Sequence, residues 1–191
     1  MANFYIADLH LNHTNVTQAG KNFDNRPFKD VHEMNKVLCE NWNNAVSKSD
    51  VVYILGDCIW SPDNNIYEEF NKLNGNKILI KGNHDRVKNS EYKKLFQTIC
   101  DYREVRDTVD GKTYDLVLSH YPIMMWKGQH RGAIHIMGHI HNSAEYELYQ
   151  KYLKDLEDFH GEKFKAYNVG CMMDYMNYTP RTLKEILEAN E

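Results

Sequence analysis

The sequence has few cysteines, and none is spaced for a disulfide framework or a zinc knuckle. The 191 residues include 4 cysteines without a C-x-x-C pair: Cys39, Cys58, Cys100 and Cys171. This spacing argues against both a disulfide-stapled fold and a structural zinc site. We predict that Cys58 is a small buried residue. The cysteine pattern favours a reducing cytoplasm as the location.

The sequence also lacks a membrane segment and an excess of positive charge. No apolar run approaches the roughly 20 residues of a membrane helix, and the start MANFYIADLH has no basic and apolar secretion signal. Lys and Arg number 23 against 27 Asp and Glu, a net charge of −4. Because phosphate contacts need clustered cations, we expect neither a membrane partner nor strong binding of long nucleic acid.

Strands and helices alternate along the chain, without an internal repeat, a low-complexity tract or a linker. The length fits a single domain over residues 1–191. Short apolar runs predict strands at 3–8, 51–55, 77–80, 114–119, 133–137 and 166–172. The 114–119 strand belongs to a hairpin over 102–120 that turns at Asp110-Gly111. Amphipathic stretches predict helices at 30–47, 64–75, 90–96, 143–160 and 179–190.

The segment 143–160 is predicted to be an added helix with one apolar face. That face comprises Tyr146, Tyr149, Leu153, Leu156 and Phe159. We favour packing of this face on the body of the domain, which is the usual role of such a stripe. A lid over a site, or a contact in a homodimer, is the alternative.

Histidine, in contrast, is abundant, and most of the 10 histidines lie in short motifs just after predicted strands. Ligand sites of α/β sheets gather at the carboxyl ends of strands, so these side chains are expected to meet. Extended residues at i and i+2 point the same way. The candidates are Asp8, His10, Asp57, Asn83, His84, Asp85, His120, His139 and His141.

These residue types suit a pair of divalent transition metal ions. Neutral imidazole and carboxylate bind Zn, Mn, Fe or Ni. Two carboxylates (−2), two divalent ions (+4) and one hydroxide (−1) sum to +1, so an acidic protein would still present a local anion site. Two metals about 3.5–4 Å apart can hold a hydroxide and stabilise an in-line displacement at phosphorus.

The ordered motifs resemble those of the calcineurin-like metallophosphoesterases. The chain has D-x-H at 8–10, G-D at 56–57, G-N-H-D at 82–85, a lone histidine in SHYP (119–122) and G-H-x-H at 138–141, all in the family's order. NVG at 168–170 is similar to the family's last core strand. RPF and NGNKILIKGNHD are similar to stretches of its small single-domain bacterial and phage members.

The resemblance implies a fold and a role for each motif. The fold is a four-layer αββα sandwich of the α/β (α+β) class, in which two mixed β-sheets are flanked by helices. One ion would be held by Asp8, His10, Asp57 and His141, and the other by Asp57, Asn83, His120 and His139. His84 would protonate the leaving oxygen, and Asp85 would orient or tune the His84 ring.

The predicted function is hydrolysis of a phosphodiester bond in a small or nucleotide-like substrate, by attack of a metal-bridging hydroxide. The alternatives are a phosphomonoesterase or nucleotide pyrophosphatase of the same fold, or a metal-bearing scaffold without turnover. Many relatives carry an acidic residue or a histidine soon after G-D, whereas this chain continues CIWSP, which leaves the substrate contacts on that side open.

The substrate contacts are expected among the remaining basic and aromatic residues. We predict contacts from His13, Arg26 and His130, and a selecting wall that His130 forms with Trp126, Lys127 and Arg131. His32 and His160 are expected at the surface, and His135 has no predicted role.

Overall fold

Two mixed β-sheets pack face to face in the structure, a computed structural model that describes residues 1–21, 24–61 and 64–190. The first sheet has the order β4-β3-β2-β1-β9 and the second the order β5-β6-β7-β8. Strands β1 to β4 are parallel and β9 is antiparallel to β1. In the second sheet only the β5–β6 pair is antiparallel. The predicted pair of mixed sheets is confirmed.

The strands are short, and their bounds are as follows. The first sheet comprises β1 (Asn3–Ile6), β2 (Val51–Ile54), β3 (Asn76–Ile80), β4 (Thr98–Cys100) and β9 (Arg181–Thr182). The second comprises β5 (Tyr102–Val109), β6 (Lys112–Ser119), β7 (Ile134–Met137) and β8 (Ala166–Asn168). Asp110 and Gly111 both have positive φ, 49° and 81°, as the predicted two-residue turn between β5 and β6 requires.

The helices flank the sheets. They are α1 (Val31–Ala45), α2 (Asn64–Asn71), α3 (Ser90–Lys93), α4 (Ala144–His160) and α5 (Leu183–Asn190). Helix α1 begins as predicted, because the Asp30 side chain accepts a hydrogen bond from the Glu33 backbone N–H. Its residues Met34, Leu38 and Trp42 are buried in the same core as α2 and α5.

One apolar core lies between the two sheets. Buried residues of the first sheet, such as Ile6 and Ile54, share it with Leu118 and Ile136 of the second. Burying one such side chain stabilises a fold by about 1.5–3 kcal/mol. This packing brings the carboxyl ends of β1, β2, β3, β6 and β7 to the same edge of the molecule.

Several predicted boundaries were wrong where the chain leaves this edge. The strand predicted at 3–8 ends at Ile6, because Asp8 and His10 have left-handed backbones. The strand predicted at 166–172 ends at Asn168. The helix predicted from 179 begins at Leu183, because Arg181 and Thr182 pair with β1 as an edge strand. Strand β4 was not predicted, because its three residues are too few to show a period.

Helix α4 packs on the second sheet, which confirms the favoured interpretation of 143–160. Tyr149, Leu153 and Leu156 join a cluster that includes Met137 of β7 and Ala166 of β8. The prediction for Phe159 was wrong, since its side chain is 82% exposed. The packing of the helix against the sheet ends one turn earlier. Among the residues that the structure describes, no helix combines the length and apolar character needed to cross a membrane.

Candidate metal centre

The loops that follow β1 and β7 bring three of the predicted ligands together. One donor atom each from Asp8, His10 and His141 lies within 4.8 Å of the other two. Nε2 of His10 is 3.3 Å from Nε2 of His141, which is in turn 3.8 Å from Oδ1 of Asp8. Because β1 and β7 belong to different sheets, this first donor group spans the junction between them.

A second donor group lies beside the first. It comprises Asp57 after β2, His120 after β6 and His139 after β7, again with donor atoms within 4.8 Å. Oδ1 of Asp57 is 3.7 Å from Nε2 of His120, and Oδ2 is 3.7 Å from Nε2 of His10. The Asp57 carboxylate therefore faces both groups, as the predicted bridging ligand must.

The hydrogen bonds of two rings fix which nitrogen faces the centre. Nδ1 of His120 lies 2.7 Å from the Leu55 carbonyl oxygen, and Nδ1 of His141 lies 3.0 Å from a carboxylate oxygen of Asp24. Carbonyl and carboxylate oxygens only accept, so Nδ1 donates in both rings. Each Nε2 then carries a lone pair directed at the centre, which is the arrangement of metal-bound histidines.

The buried polar groups at the centre fit divalent cations. Asp8 is fully buried, and its Oδ1 has no hydrogen-bond partner in the described chain. Burial raises the pKa of Asp8 to about 6 and lowers the pKa of His10. Nε2 of His120 and Oδ1 of Asn83, both acceptors, lie 3.0 Å apart. A cation satisfies such facing acceptors, whereas leaving buried polar atoms without a partner is costly.

The backbone of the centre is strained. Left-handed φ values between 46° and 72° occur at the predicted ligands Asp8, His10, Asp57, His139 and His141. Each such residue costs on the order of 1–3 kcal/mol, and such strain clusters at functional sites. Here the left-handed backbone directs each of these side chains toward the centre immediately after its strand.

Two glycines keep the space around the ligands. A Cβ built at Gly56, where φ is 86°, would lie 2.2 Å from Nδ1 of His120. A Cβ at Gly82 would lie 2.3 Å from Oδ1 of Asp57. Both distances are too short for any side chain, so the G-D and G-N-H-D motifs need glycine at these places.

His84 lies at the rim of the centre. Its side chain is 42% exposed, and its Nε2 is 3.9 Å from Oδ2 of Asp57. The Trp60 ring packs against it at a centroid distance of 4.3 Å. His13 stacks on Trp60 at 3.7 Å and 2°. Trp60 has no predicted role, and it lies in the CIWSP stretch, on the side where the sequence leaves the substrate contacts open.

Asp85 does not orient the His84 ring, so that part of the prediction was wrong, whereas a role in tuning the ring stays a prediction. Its carboxylate accepts from the backbone N–H groups of Asp57, Cys58 and Gly82, at 2.7–3.0 Å, and from the Tyr92 hydroxyl. All four lone-pair positions are thus occupied by donors other than His84. Asp85 instead ties the loop after β2 to the loop after β3. Cys58 is fully buried, as predicted.

Arg26 is not placed to contact substrate, which corrects a second prediction. It is fully buried, and its guanidinium donates to the carbonyl oxygens of Asp8 and Leu9 and to the carboxylate of Asp24. Arg26 therefore braces the backbone of the first donor group. Asp24 has no predicted role. Only its position two residues before Arg26, in a segment rich in polar residues, could have drawn attention to it.

The predicted selecting wall is also wrong in part. Trp126 is buried and donates to the Ala133 carbonyl oxygen, and Lys127 pairs with Glu104. His130 precedes β7, so it lies at the amino end of that strand while the centre lies at the carboxyl end. Tyr121 is the residue of this loop beside the centre, 4.5 Å from the His139 ring. A substrate contact from His13, which is 4% exposed, stays a prediction.

Comparison with known proteins agrees with this geometry. A sequence profile described as the calcineurin-like phosphoesterases matches residues 4–167. The chain belongs to this family. Members of the calcineurin-like phosphoesterase family generally bind two divalent metal ions, and the two donor groups are the candidates to hold them. Family membership also indicates phosphoesterase hydrolase activity.

Individual relatives cover most of the chain. Uncharacterized protein MJ1445 of Methanocaldococcus jannaschii is 32% identical over 98% of this chain and 90% of its own length. Gene 66 protein of Mycobacterium phage D29 is 29% identical over 73% of this chain and 78% of its own. The crystal structure of a protein of unknown function, AQ665 from Aquifex aeolicus, superposes with a TM-score of 0.70 at 24% identity, covering 98% of each chain. This last likeness supports the fold.

Proposed function

We propose that the protein is a phosphodiesterase that depends on two divalent transition ions and acts on a small or nucleotide-like substrate. The observation that carries the proposal is the position of His84. An exposed imidazole stands 3.9 Å from the carboxylate that faces both donor groups. A phosphate bound by ions beside the Asp57 carboxylate would have its leaving oxygen within reach of the His84 ring.

The two donor groups support a role for each ligand. Asp8, His10 and His141 would hold one ion, His120, His139 and Asn83 the other, and Asp57 both. When bound, two such ions supply positive charge for the phosphate and activate water as a nucleophile. His84 donates a proton to the leaving oxygen, because an alkoxide is a poor leaving group and a general acid contributes roughly 10²–10⁴ in rate.

A groove beside Asn83 supports a substrate that carries charge beyond the reacting phosphate. The cavity has a volume of about 770 Å³ and opens next to Gly82 and Asn83. Three cationic side chains and two acidic ones line it: Lys81, Arg86 and Lys88, with Asp85 and Asp101. Lys81 pairs with Asp101, while Arg86 and Lys88 are exposed. This local positive charge on an acidic chain suits a nucleotide-like anion.

The alternatives share the centre and differ in substrate. A phosphomonoesterase or nucleotide pyrophosphatase would use the same ligands and the same acid. A scaffold without turnover would have no use for an exposed histidine beside Asp57. The retention of His84 at this place therefore favours an enzyme.

Hydrolysis of bis(p-nitrophenyl) phosphate with added Mn²⁺ tests the proposal. We expect turnover that EDTA abolishes. In His84→Ala the loss should be small on this nitrophenyl ester and reach orders of magnitude on an alkyl phosphodiester, whose leaving oxygen needs the proton. His32→Ala, which removes an exposed imidazole from α1, is the matched control and should match the wild type. Turnover of monoesters or pyrophosphates alone would select the second candidate. If the metal-loaded protein were inactive on every phosphoester, the proposal that it is an enzyme would be wrong.

We also propose that the protein works in the reducing cytoplasm, on a small substrate rather than on a membrane or long nucleic acid. All four cysteines are free thiols, and two of them are buried. The fold therefore depends on no disulfide. Exposure of the protein to a reductant such as dithiothreitol should leave its fold unchanged.

A further inference from the structure

A third cluster of metal-binding side chains lies apart from the catalytic centre. It comprises His130, His160 and Glu162, with one donor atom of each within 4.8 Å of the other two. All three residues are exposed. His160 ends α4, and His130 lies in the 3-10 turn Gln129–Arg131 just before β7. The cluster therefore sits at the amino end of β7, while the catalytic centre sits at its carboxyl end.

The backbone turns on both sides bring the three residues together. Gly161 ends α4 with a left-handed φ of 69°, which folds Glu162 back toward the helix end. Gly128 and Gly132, with φ of 78° and 80°, bound the turn that carries His130. Phe164 lies under both rings, with centroid distances of 5.3 Å to His130 and 5.9 Å to His160. Phe164 thus packs against one side of both rings, and the other side faces solvent.

The hydrogen bonds of His130 show where an ion would bind. The Gln129 amide nitrogen lies 3.4 Å from Nε2 of His130, so that Nε2 accepts. Nδ1 therefore carries the proton and donates it to Oε1 of Glu162. The His160 ring lies 4.9 Å away, roughly perpendicular to the first. The hydrogen bond between Nδ1 of His130 and Oε1 of Glu162 therefore lies close to His160, the third side chain that can bind a metal.

We propose that His130, His160 and Glu162 form a surface site for a divalent transition ion of the zinc type. On binding, the His130 proton moves from Nδ1 to Nε2, which gives up the bond from the Gln129 amide, so the ring stays neutral and no net proton is released. The ion then takes Nδ1 of His130, one nitrogen of His160 and one carboxylate oxygen of Glu162. Two histidines, a glutamate and a water make a tetrahedral zinc site. Through these ligands the bound ion links the end of α4 to the turn before β7. The proposal does not depend on the phosphodiesterase activity.

The number of zinc ions bound per chain tests this site. Wild type, His160→Ala, Glu162→Gln and the control His32→Ala are dialysed against the same free zinc concentration, and the bound metal is measured. We expect His160→Ala and Glu162→Gln each to bind one ion fewer than the wild type, and His32→Ala to bind the same number. Hydrolysis of bis(p-nitrophenyl) phosphate should be equal in all four, since none of the changed residues lies at the catalytic centre.

A paramagnetic ion gives a second measurement. Cu²⁺ added to the zinc-free protein should broaden the backbone resonances of residues 128–132 and 159–164 in the wild type, and leave them sharp in His160→Ala. Equal zinc stoichiometry in the wild type and both variants, or broadening that persists in His160→Ala, would mean that the cluster is only an ion pair on an aromatic surface. Either result overturns the proposal.

Discussion

The carboxylate of Asp24 accepts from Nδ1 of His141 at 3.0 Å and from Nε of Arg26 at 2.7 Å. Desolvation by burial opposes ionisation of Asp24, but the hydrogen bond from His141 and the charge of Arg26 outweigh it and lower its pKa. Desolvation likewise opposes a charge on His141, while Asp24 and Asp8 raise its pKa. Asp24 thus fixes the ring that completes the first donor group.

Asp24→Asn should weaken metal binding at this group. Because a carboxylate that orients a metal-bound histidine contributes about 10–100-fold in affinity, we expect a loss of that size. Competition with a chelating dye measures it. Asp155→Asn, an exposed position on α4, is the control. An affinity in Asp24→Asn equal to that of the control would remove Asp24 from the centre.

Asp85 should act through stability and loop position rather than through the chemistry of His84. Tyr92→Phe removes one of its four donors and should lower the free energy of unfolding by about 1.5–3 kcal/mol, because the hydrogen bond is to a charged group. Asp85→Asn replaces an acceptor by a donor facing backbone N–H groups, and should cost more. Urea unfolding measures both. If Asp85→Asn were as stable as the wild type and altered only the pH profile of hydrolysis, the original interpretation of Asp85 would be restored.

Trp60 should act as a positioning residue for His84. Trp60→Ala removes the ring that packs against the imidazole at 4.3 Å. An alkyl phosphodiester needs a proton on its leaving oxygen more than a nitrophenyl ester does. We therefore expect a loss of about tenfold or more on the alkyl ester, a smaller loss on the nitrophenyl ester, and partial rescue in Trp60→Phe. Equal losses on both esters would indicate a general structural role.

His135 should make the stability of the fold depend on pH. It is fully buried, its Nδ1 donates to the Val117 carbonyl oxygen, and its Nε2 accepts from the Ile123 N–H. Desolvation by burial lowers its pKa to about 4 from 6.5. Above pH 6.5 neither state is protonated, so stability is unaffected. As the pH falls from 6.5 toward 4, the unfolded chain gains a proton that the folded chain excludes, and stability falls by up to about 3 kcal/mol.

Comparison of His135→Gln with the wild type isolates this effect. The variant is less stable at every pH, but its free energy of unfolding should fall less steeply between pH 6.5 and 4 than that of the wild type. Urea unfolding at several pH values, with EDTA present in both proteins, provides the comparison. Parallel pH profiles of the two proteins would contradict the role given to His135.

The sequence predicted what depends on periodicity and on ordered motifs. The apolar runs of β2 and β3, the capped start of α1 and the turn at Asp110-Gly111 each follow from local pattern. The donor residues could also be named, because each stands just after a strand whose carboxyl end meets the others. Local pattern and tertiary arrangement agree at these places.

Long-range contacts account for what the sequence did not predict. Asp24 reaches His141 across 117 positions of the chain, and Asp85 binds the backbone of a loop 27 residues away. No periodicity marks either residue. Arg26 is a further case, because the sequence does not distinguish a buried arginine that donates to backbone carbonyl oxygens from an exposed one. The end of β1 was misplaced because left-handed residues carry no signal in their hydropathy.

Two adjacent donor groups, joined by Asp57, are proposed to hold a pair of ions. Electron paramagnetic resonance of the protein loaded with Mn²⁺ can show whether the two ions are neighbours. We predict two ions per chain with an exchange-coupled spectrum, and loss of the coupling in Asp57→Asn, because that carboxylate faces both groups. A wild-type protein that binds Mn²⁺ only as isolated, uncoupled ions, or that does not bind it at all, would contradict the claim.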